Sequence, residues 1–355
     1  MKAAVLKKPW TLRVEDVPEP VADETFALLD VKACGICGSD IRYYMGENPW
    51  ALHTLGKVIP NPPNIIFGHE IAGVVKEVKR PEYEHLLGKR VFVISFKTCG
   101  QCEACRSGNY NLCKETMHLG HGAGWGEQDY FPGGMAELCP VWYTNMIELP
   151  EDVSCEEATL LDPISVAIHA VTLSGIKPGQ KVLVLGSGPV GISIIQAVQA
   201  FGAGTSICTD VCEFPLKLIE KWGIAHAVDA SKMDVVSYVK REMGGADVVF
   251  DTVGTAQSQR QALDVLKKGG TLVNLVANET QSAYRLSDLS GERRILTSAN
   301  NRYEDCLLAL DLIQRGIIRA KDMVTHVLPL KDVQHGFDMM MDKKRNDVMK
   351  VVLRP

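Results

Sequence analysis

The sequence predicts an α/β protein with two domains, one a doubly wound parallel sheet and the other rich in β-strands. At 181–200 a continuous apolar run leads into a glycine-rich turn and then into apolar residues at helical spacing. That order is typical of a strand buried on both faces followed by a helix. Strand-like runs at 246–254 and 270–277 continue the pattern, with a helical stretch predicted at 256–268 between them. Such strand–helix alternation predicts a doubly wound parallel sheet.

The rest of the chain predicts a β-rich domain that the parallel sheet interrupts. The first 150 residues are rich in glycine, proline and short β-type runs such as 70–78. A helical stretch at 303–315 and a last strand-like run come near the end, and the parallel sheet does not need that strand. At 355 residues the chain is long enough for two cores. We therefore assign 1–162 and 299–355 to the first domain and 163–298 to the second.

Four cysteines in the first domain have the spacing of a structural zinc site. They follow the pattern C-x2-C-x2-C-x7-C and are Cys99, Cys102, Cys105 and Cys113. Four thiolates complete a tetrahedral zinc shell, which leaves no open position for chemistry. The alternative is a disulfide pair or four unrelated buried cysteines, but disulfides need an oxidising compartment that nothing in the sequence indicates. We therefore predict a zinc ion that holds a loop in shape.

A second, incomplete ligand set precedes the four cysteines. Cys37 lies in A-C-G-I-C-G-S-D, and His69 and Glu70 lie in F-G-H-E. A lone histidine is more often an ordinary partly buried residue, but three protein ligands leave a fourth position open, as in a catalytic zinc site. Zinc held in this way acts as a Lewis acid that lowers the pKa of a bound alcohol and polarises a carbonyl. Asp162, which precedes a proline, is either a fourth ligand or the partner of the zinc-bound water.

Ser39 follows Cys37 by two residues and is the candidate first member of a proton relay. Its hydroxyl is placed to hydrogen-bond a substrate hydroxyl and pass on the proton. A serine after a glycine is also a common turn or cap residue, and without the zinc ligands that interpretation would stand.

The glycine-rich turn has the fingerprint of a dinucleotide-binding site. The first glycine of G-x-G-x-x-G permits a tight turn, the second lets pyrophosphate approach the backbone, and the third lets helix and strand pack closely. Asp210 ends a second strand 24 residues after Gly186, near the spacing of a carboxylate that binds the ribose 2′-hydroxyl and repels a 2′-phosphate. NAD is therefore favoured over NADP, and the alternative is a glycine-rich turn that binds no nucleotide. The predicted cofactor-binding residues are Gly186, Gly188, Pro189, Val190, Gly191 and Asp210.

Composition and charge exclude several classes of function. The chain is 46% apolar and 23% charged, as in ordinary globular proteins, and its net charge of −5 offers no basic surface for nucleic acid. No apolar run is long enough for a signal peptide or a membrane span. An odd count of eleven cysteines argues against a secreted disulfide framework, so we expect a cytoplasmic protein.

Taken in order, C-G-x-C-G-S-D, G-H-E, the four-cysteine loop and G-S-G-P-V-G resemble the zinc-dependent medium-chain alcohol dehydrogenase family over essentially the whole chain. The segment D-P-I-S-V-A-I-H-A resembles E-P-x-S-V-x-x-H of sorbitol and other polyol dehydrogenases, and its Asp-Pro also resembles threonine 3-dehydrogenases. The resemblance implies a GroES-like β-rich catalytic domain and a Rossmann domain, and the two separate ligand sets predict two zinc ions per chain. It also implies NAD(P)-linked oxidation of a secondary alcohol to a ketone by a homotetramer or homodimer.

The chain departs from this family at several positions. Arg42 stands where relatives often have the histidine of the proton relay, and a guanidinium cannot accept a proton at working pH. It is either an anion-binding group or a solvated surface arginine. The segment 43–64 is long and predicts a remodelled pocket wall, and the glycine-rich loop 120–137 is a candidate lining of the substrate site. No lysine or arginine follows Asp210 closely, so the adenosine lacks a basic neighbour there.

We therefore expect hydride transfer between a polyol, sugar or cyclitol carbinol and NAD, with zinc at Cys37, His69 and Glu70. A 3-hydroxy-amino-acid dehydrogenase of the threonine type is the alternative enzyme, favoured by Asp162-Pro163. A non-catalytic zinc protein that binds nucleotide is the alternative outside enzymes. Its mark would be loss of one catalytic ligand, and all three are present.

Overall fold

The computed structural model describes all 355 residues and divides into two compact units. The first unit contains Met1–Asp162 and Arg319–Pro355, and the second contains Pro163–Ile318. The sequence predicts that the second domain ends at residue 298, whereas residues 299–318 also belong to the second unit. A buried contact explains the difference, because Nδ1 of His169 lies 2.9 Å from Oδ2 of Asp305 and ties these residues to the second unit.

The helices and strands follow one another along the chain in three groups. Up to Asp162 they are β1 (Lys2–Lys8), β2 (Thr11–Asp16), β3 (Phe26–Gly35), α1 (Gly38–Met45), β4 (Ile65–Ile66), β5 (Glu70–Glu77), β6 (Arg90–Val93), β7 (Phe96–Lys97), α2 (Glu103–Arg106), β8 (Met117–His118), β9 (Leu138–Trp142), β10 (Met146–Glu148) and α3 (Cys155–Ala158). The next are α4 (Leu161–Ser174), β11 (Val182–Leu185), α5 (Pro189–Ala200), β12 (Ser206–Asp210), α6 (Glu213–Trp222), β13 (His226–Asp229), α7 (Val235–Met243), β14 (Ala246–Asp251), α8 (Ala256–Val265), β15 (Leu266–Asn274), β16 (Arg294–Thr297) and α9 (Tyr303–Gln314). The last are α10 (Ala320–Met323), β17 (Val324–Pro329), α11 (Val333–Met341), α12 (Lys343–Asn346) and β18 (Lys350–Arg354).

The first unit is built on a mainly antiparallel sheet with the order β10-β6-β5-β3-β18-β17, and β9 also pairs with β3. A three-stranded sheet, β2-β1-β4, and the two-stranded β7-β8 complete it. Apolar side chains from these strands form one core around large buried residues such as Phe67, Phe92 and Trp142. This is the β-rich domain that the sequence predicts. Its last strand, β18, pairs with β3 although most of the chain separates them in sequence.

The second unit is a six-stranded, wholly parallel sheet with the order β13-β12-β11-β14-β15-β16. This is the strand order of a Rossmann domain, as the sequence predicts. One element differs, since α8 ends at Val265 and not at 268. Leu266 already pairs with Ala246 as a strand residue, and an irregularity then carries the chain to Thr271, which pairs with Val248. No helix in either unit combines the length and the apolar character that crossing a membrane requires.

Candidate active site

The candidate catalytic ligands meet because of the register between β3 and β5. Gly35, the last residue of β3, lies opposite Glu70, the first residue of β5. Cys37 lies two residues after the end of β3 and His69 directly precedes β5, so antiparallel pairing brings the three donors to one end of the sheet. One ligand atom from each of Cys37, His69 and Glu70 lies within 4.8 Å of the others. The grouping predicted from the sequence is therefore present in the structure.

Two glycines leave the room that this cluster needs. A Cβ at Gly35 would collide with the carboxylate of Glu70. Gly68 has φ of +97°, in the left-handed region, and a Cβ there would collide with Sγ of Cys34. Glycine is therefore required at both positions for His69 and Glu70 to approach Cys37.

Asp40 supports the ligands, and the sequence analysis did not single it out. Its Oδ2 accepts a hydrogen bond from the backbone N–H of Cys37 at 2.9 Å. Its Oδ1 lies 3.3 Å from Nδ1 of His69, and both atoms are buried without a hydrogen-bond partner. A carboxylate behind a histidine ligand is the usual way to orient the ring and fix its tautomer. The aspartate that ends C-G-S-D was the available sequence signal.

The electrostatics of the cluster favour a cation. Burial lowers the pKa of His69, but the negative charges of Asp40 and Cys37 outweigh it and hold that pKa well above the ordinary value. The negative charges around His69 therefore favour a positive charge at this place. A thiolate, an imidazole and a carboxylate are the donor types that zinc binds. Next to them, Oδ1 of Asp40 and Nδ1 of His69 are buried without a hydrogen-bond partner. These residues fit a zinc ion.

Lys350 is the second residue that sequence reasoning missed. Its Nζ lies 2.6 Å from both carboxylate oxygens of Glu70, and both side chains are fully buried. The pairing of β18 with β3, in which Val352 lies opposite Gly35, brings the lysine there. A single lysine inside a strand-like apolar run was the only sequence signal.

Asp162 lies near this cluster but outside the group of three donors. Burial, together with the charges of Glu70 and Asp40, raises the pKa of Asp162 to about 6, although His69 and Lys350 act in the opposite direction. The carboxyl therefore interacts electrostatically with the ligand set. Only Cys37, His69 and Glu70 lie within ligand distance of one another, so direct ligation by Asp162 stays a prediction.

The candidate proton relay begins beside the histidine ligand. Oγ of Ser39 lies 3.5 Å from Nε2 of His69. Arg42, one turn further along α1, donates from Nε to Glu47 at 2.7 Å. This contact favours the surface-arginine alternative for Arg42.

Two further buried histidine rings pack next to the Cys37, His69 and Glu70 cluster. His121 contacts His69 edge-to-face with ring centroids 5.9 Å apart, and His118 packs on His121 at a tilt with centroids 4.7 Å apart. Both histidines are more than nine-tenths buried. The sequence analysis expected the loop 120–137 to line the site, but it did not name either ring.

The four-cysteine loop has the geometry of a closed metal site. The four thiols lie within 4.8 Å of one another and none is in a disulfide. Sulfur–sulfur distances are 3.9 Å for Cys99–Cys105, 3.9 Å for Cys102–Cys113 and 3.5 Å for Cys99–Cys113. In a tetrahedral site with zinc–sulfur bonds of about 2.3 Å, the sulfurs are about 3.8 Å apart. The spacing therefore fits four thiolates around one zinc ion.

The nucleotide fingerprint lies between β11 and α5 in the second unit. Gly186 has φ of +90°, and Gly188 is the N-cap of α5 with Pro189 at its first position. A Cβ at Gly191 would collide with the backbone oxygen of Gly186, so helix and strand pack as closely as the motif predicts. Val190 lies beside Pro189 in the first turn and is partly exposed. Free N–H groups at this helix end suit an anion such as pyrophosphate.

Asp210 ends β12 next to this turn. Its Oδ2 accepts hydrogen bonds from the backbone N–H and the hydroxyl of Ser187, at 2.7 and 2.9 Å. Its Oδ1 accepts from the backbone N–H groups of Val211 and Cys212, at 2.7 and 2.8 Å. The carboxylate is thus fixed beside the glycine-rich turn.

Comparisons with known proteins agree with this geometry. The family described as alcohol dehydrogenase GroES-like domain matches residues 23–151, and the family described as zinc-binding dehydrogenase matches residues 189–315. Sorbitol dehydrogenase of Bacillus subtilis (strain 168) is 30% identical over 359 residues, covering 100% of this chain and 97% of the relative.

Two solved structures are similar over the whole chain. The 2R,3R-butanediol dehydrogenase from Bacillus subtilis has a TM-score of 0.85 and 30% identity, covering 100% of this chain and 99% of that one. A putative zinc-binding dehydrogenase from Sinorhizobium meliloti 1021 bound to NADP has a TM-score of 0.87 and 28% identity, covering 100% and 99%.

Proposed function

Because the chain belongs to the zinc-dependent medium-chain alcohol dehydrogenase family, we propose that it oxidises a secondary alcohol of the polyol, sugar or cyclitol type with NAD. The observation that carries the proposal is the open set of three donors, Cys37, His69 and Glu70, within 4.8 Å. The same chain contains the dinucleotide fingerprint at Gly186–Gly191. A metal and a hydride acceptor are the two components that this reaction requires.

Cys37, His69 and Glu70 would hold the catalytic zinc, with Asp162 as an outer or fourth partner. Zinc there supplies Lewis acidity that lowers the pKa of the substrate hydroxyl and polarises the product carbonyl. Asp40 orients the His69 ring from behind. Lys350 shares the carboxylate of Glu70, so ligation by Glu70 competes with two short charge-assisted hydrogen bonds.

Ser39 would carry the substrate proton away from the reacting hydroxyl. The Ser39 hydroxyl can accept a hydrogen bond from the substrate hydroxyl and at the same time donate its own hydrogen to a further acceptor. Arg42 cannot take the proton next, because its guanidinium stays charged and is paired with Glu47.

NAD is proposed over NADP on the placement of Asp210. A carboxylate at the end of β12 binds ribose hydroxyls and repels a 2′-phosphate. The residues that follow, Val211, Cys212 and Glu213, offer no positive charge to a phosphate. The similar S. meliloti dehydrogenase is bound to NADP, so the preference of this chain for NAD over NADP has to be measured with both cofactors.

A second zinc ion is proposed at Cys99, Cys102, Cys105 and Cys113, giving two per chain. Four sulfurs close its coordination shell, so its contribution is to the stability of the loop. The family also favours a homotetramer or homodimer, and light scattering on the purified protein would distinguish these from a monomer.

Threonine-type oxidation of a 3-hydroxy amino acid is the alternative enzyme activity, favoured by Asp162-Pro163. A non-catalytic nucleotide-binding protein is disfavoured, because none of the three catalytic donors is missing.

The experiment is NADH formation across a panel of polyols, inositols, sugar phosphates and threonine, with wild type and Cys37→Ala. Turnover of a polyol or cyclitol that depends on Cys37 supports the proposal. Turnover of threonine alone would favour the alternative enzyme. Absence of NADH formation with every alcohol, at full zinc content, would overturn the proposal.

A further inference from the structure

A cavity of about 370 Å³ lies in the first unit and has no part in the proposed reaction. None of the three catalytic donors, Cys37, His69 and Glu70, lines it. Small-molecule sites in proteins have volumes of about 300–1,000 Å³ and mostly apolar walls with a few polar groups. The cavity has this size, and its walls decide which class of molecule it suits. We call it the aromatic cavity, after the rings of Phe26, Trp125 and Tyr130 that line it.

Aromatic and aliphatic groups form most of the wall. Phe26 and Trp125 are stacked, with ring centroids 5.6 Å apart and ring planes 19° from parallel. Trp142 stacks on Trp125 in turn, with centroids 5.5 Å apart. Tyr130 and four prolines also line the cavity. Phe26, Trp125 and Tyr130 are only half-buried, so the wall offers flat apolar surface to a molecule that enters.

Hydrogen bonds and close packing hold this wall in shape. Nε1 of Trp125 donates to the carbonyl oxygen of His118 at 2.7 Å, and Nε2 of Gln128 donates to the carbonyl oxygen of Trp125 at 3.2 Å. Gly133 packs so closely on the strand before the G-H-E motif that a Cβ there would collide with the carbonyl oxygen of Ile66. A wall fixed in this way needs little ordering when a ligand binds, which favours binding.

The charged side chains that line the aromatic cavity are both acidic. They are Glu19 and Asp129, and no lysine or arginine lines it. The amino-terminal ammonium of Met1 donates to the carbonyl oxygen of Val17 at 2.9 Å and lies 4.0 Å from Oε1 of Glu19, so it offsets the charge of Glu19. Asp129 is exposed and makes no ion pair. The charge left over at the cavity is therefore negative.

The basic side chain that reaches one of these rings is already paired. Nζ of Lys7 lies 5.4 Å from the ring centroid of Tyr130, and it also pairs with Glu15 at 2.8 Å. Glu15 thus neutralises Lys7, and the lysine does not balance Asp129. The phenol of Tyr130 donates to the same carboxylate at 3.3 Å. An anionic ligand would consequently meet Asp129 and find no free cation beside it.

We propose that the aromatic cavity binds an organic cation, namely a protonated amine with an apolar body. The body packs on Phe26 and Trp125, and the ammonium group lies at the rim beside Asp129. A cation over the face of a tryptophan ring is attracted by the ring, and a carboxylate nearby adds to this attraction. The inference is independent of the proposed function, because no catalytic donor lines the cavity and no step of the reaction involves it.

The test compares three probes that share an indole ring and differ in charge: tryptamine, indole-3-acetamide and indole-3-acetate. Each is titrated into the zinc-loaded full chain in a calorimeter. Tryptamine should bind one molecule per chain and about tenfold more tightly than the neutral amide, and the anion should bind more weakly than the amide. Raising the salt from about 0.01 M to about 1 M shortens the Debye length from about 30 Å to about 3 Å, so it should weaken tryptamine more than the amide.

Variants locate the binding. Asp129→Asn should weaken tryptamine about threefold and leave the amide nearly unchanged. Asp129→Lys should reverse the order, so that indole-3-acetate binds more tightly than tryptamine. Glu127→Gln is the matched control, because this exposed acid lies on the same loop but does not line the cavity, and it should change each Kd by less than about twofold. Trp125→Leu should weaken tryptamine and the amide alike. If that variant does not fold, the exposed Asp129 variants decide.

Several results would overturn the inference. Tryptamine might bind no more tightly than the amide, or its Kd might not change in Asp129→Lys at full zinc content and an unchanged thermal midpoint. Competition between tryptamine and NADH would assign the binding to the cofactor site. Absence of binding to an oligomer that Asp129→Lys dissociates, as measured by light scattering, would assign the cavity to contact with a second copy of the chain. NADH formation is not among these readouts, so failure of the proposed function and failure of this inference are distinguishable.

Discussion

Lys350 and Glu70 form a buried ion pair in which one ammonium group lies 2.6 Å from both carboxylate oxygens. The pair lies beside Cys37 and His69. Lys350 and a metal ion bound there would therefore compete for the carboxylate of Glu70. Burial lowers the pKa of Lys350, but the charges of Glu70 and Cys37 outweigh this and raise it, so the lysine stays charged. Lys350 therefore offsets part of the negative charge of the ligand set.

Replacing Lys350 by Met should destabilise the zinc-free protein by about 3–5 kcal/mol, because the buried carboxylate of Glu70 loses its counter-charge. Zinc should recover a large part of this loss, since the metal supplies positive charge at the same carboxylate. Urea denaturation with and without zinc measures both values. Lys89→Met, at an exposed lysine paired with Glu148, is the control and should change stability by less than about 1 kcal/mol. An equal loss with and without zinc would show that Glu70 does not approach the metal.

Asp162 should make the stability of the zinc-free protein fall as pH rises. Its pKa is raised to about 6 in the folded state from 3.8, so the folded state binds more protons between these values and loses stability as pH rises through them. The full effect is about 3 kcal/mol. Asp162→Asn should therefore be more stable than wild type at pH 7 and similar to it near pH 4. Parallel curves for the two proteins across this range would contradict the prediction.

The two proposed zinc sites should respond differently to loss of one ligand. Purified without chelator, the protein should contain two zinc ions per chain by elemental analysis. Cys37→Ala should abolish turnover while NADH still binds, because the nucleotide fingerprint lies in the other unit. Cys102→Ala should instead lower the thermal midpoint, since a closed zinc site contributes folding free energy. A reproducible value near one zinc per chain would remove one of the two sites.

Asp210→Ala should weaken NAD binding about ten- to a hundredfold, because a charge-assisted hydrogen bond to the ribose is worth roughly 1.5–3 kcal/mol. NADP should gain from the lost repulsion but finds no basic side chain, so we expect relaxed selectivity and not reversal. Ser187→Ala is the control, because it removes one hydrogen bond that fixes Asp210 and keeps the charge. It should retain the preference for NAD. A wild type that already prefers NADP would show that Asp210 is not the ribose ligand.

Most of the architecture was accessible from the sequence, because its signals are local. Apolar runs, the glycine spacing around Gly188 and the four clustered cysteines each occupy a short segment. Strand–helix alternation predicts the parallel sheet of the second unit. The helix predicted to 268 was too long, since helical apolar spacing continues into a segment where pairing of Leu266 with Ala246 prevails. Tertiary pairing overrides local propensity there.

The parts of the site that sequence reasoning missed depend on contacts between distant segments. Lys350 becomes a partner of Glu70 only through the pairing of β18 with β3. His121 becomes part of the site only because its turn packs on Gly68. Asp40 was within reach, since it lies three residues after Cys37, but its role depends on the direction of one carboxylate oxygen. None of these contacts has a periodicity that a single sequence displays.

The separation of Glu70 and Lys350 by 280 residues also bears on how the chain is made. The whole second unit is synthesised after Glu70 and before Lys350, so a growing chain holds Glu70 without its counter-charge until β18 emerges from the ribosome. Domains generally fold as units during synthesis, and the second unit is continuous in sequence. The Rossmann sheet can therefore form first and bring the two ends of the catalytic unit close together. Closing the β3–β18 pair is then a late step, and the metal site gains its complete electrostatic surroundings only when nearly the entire polypeptide exists.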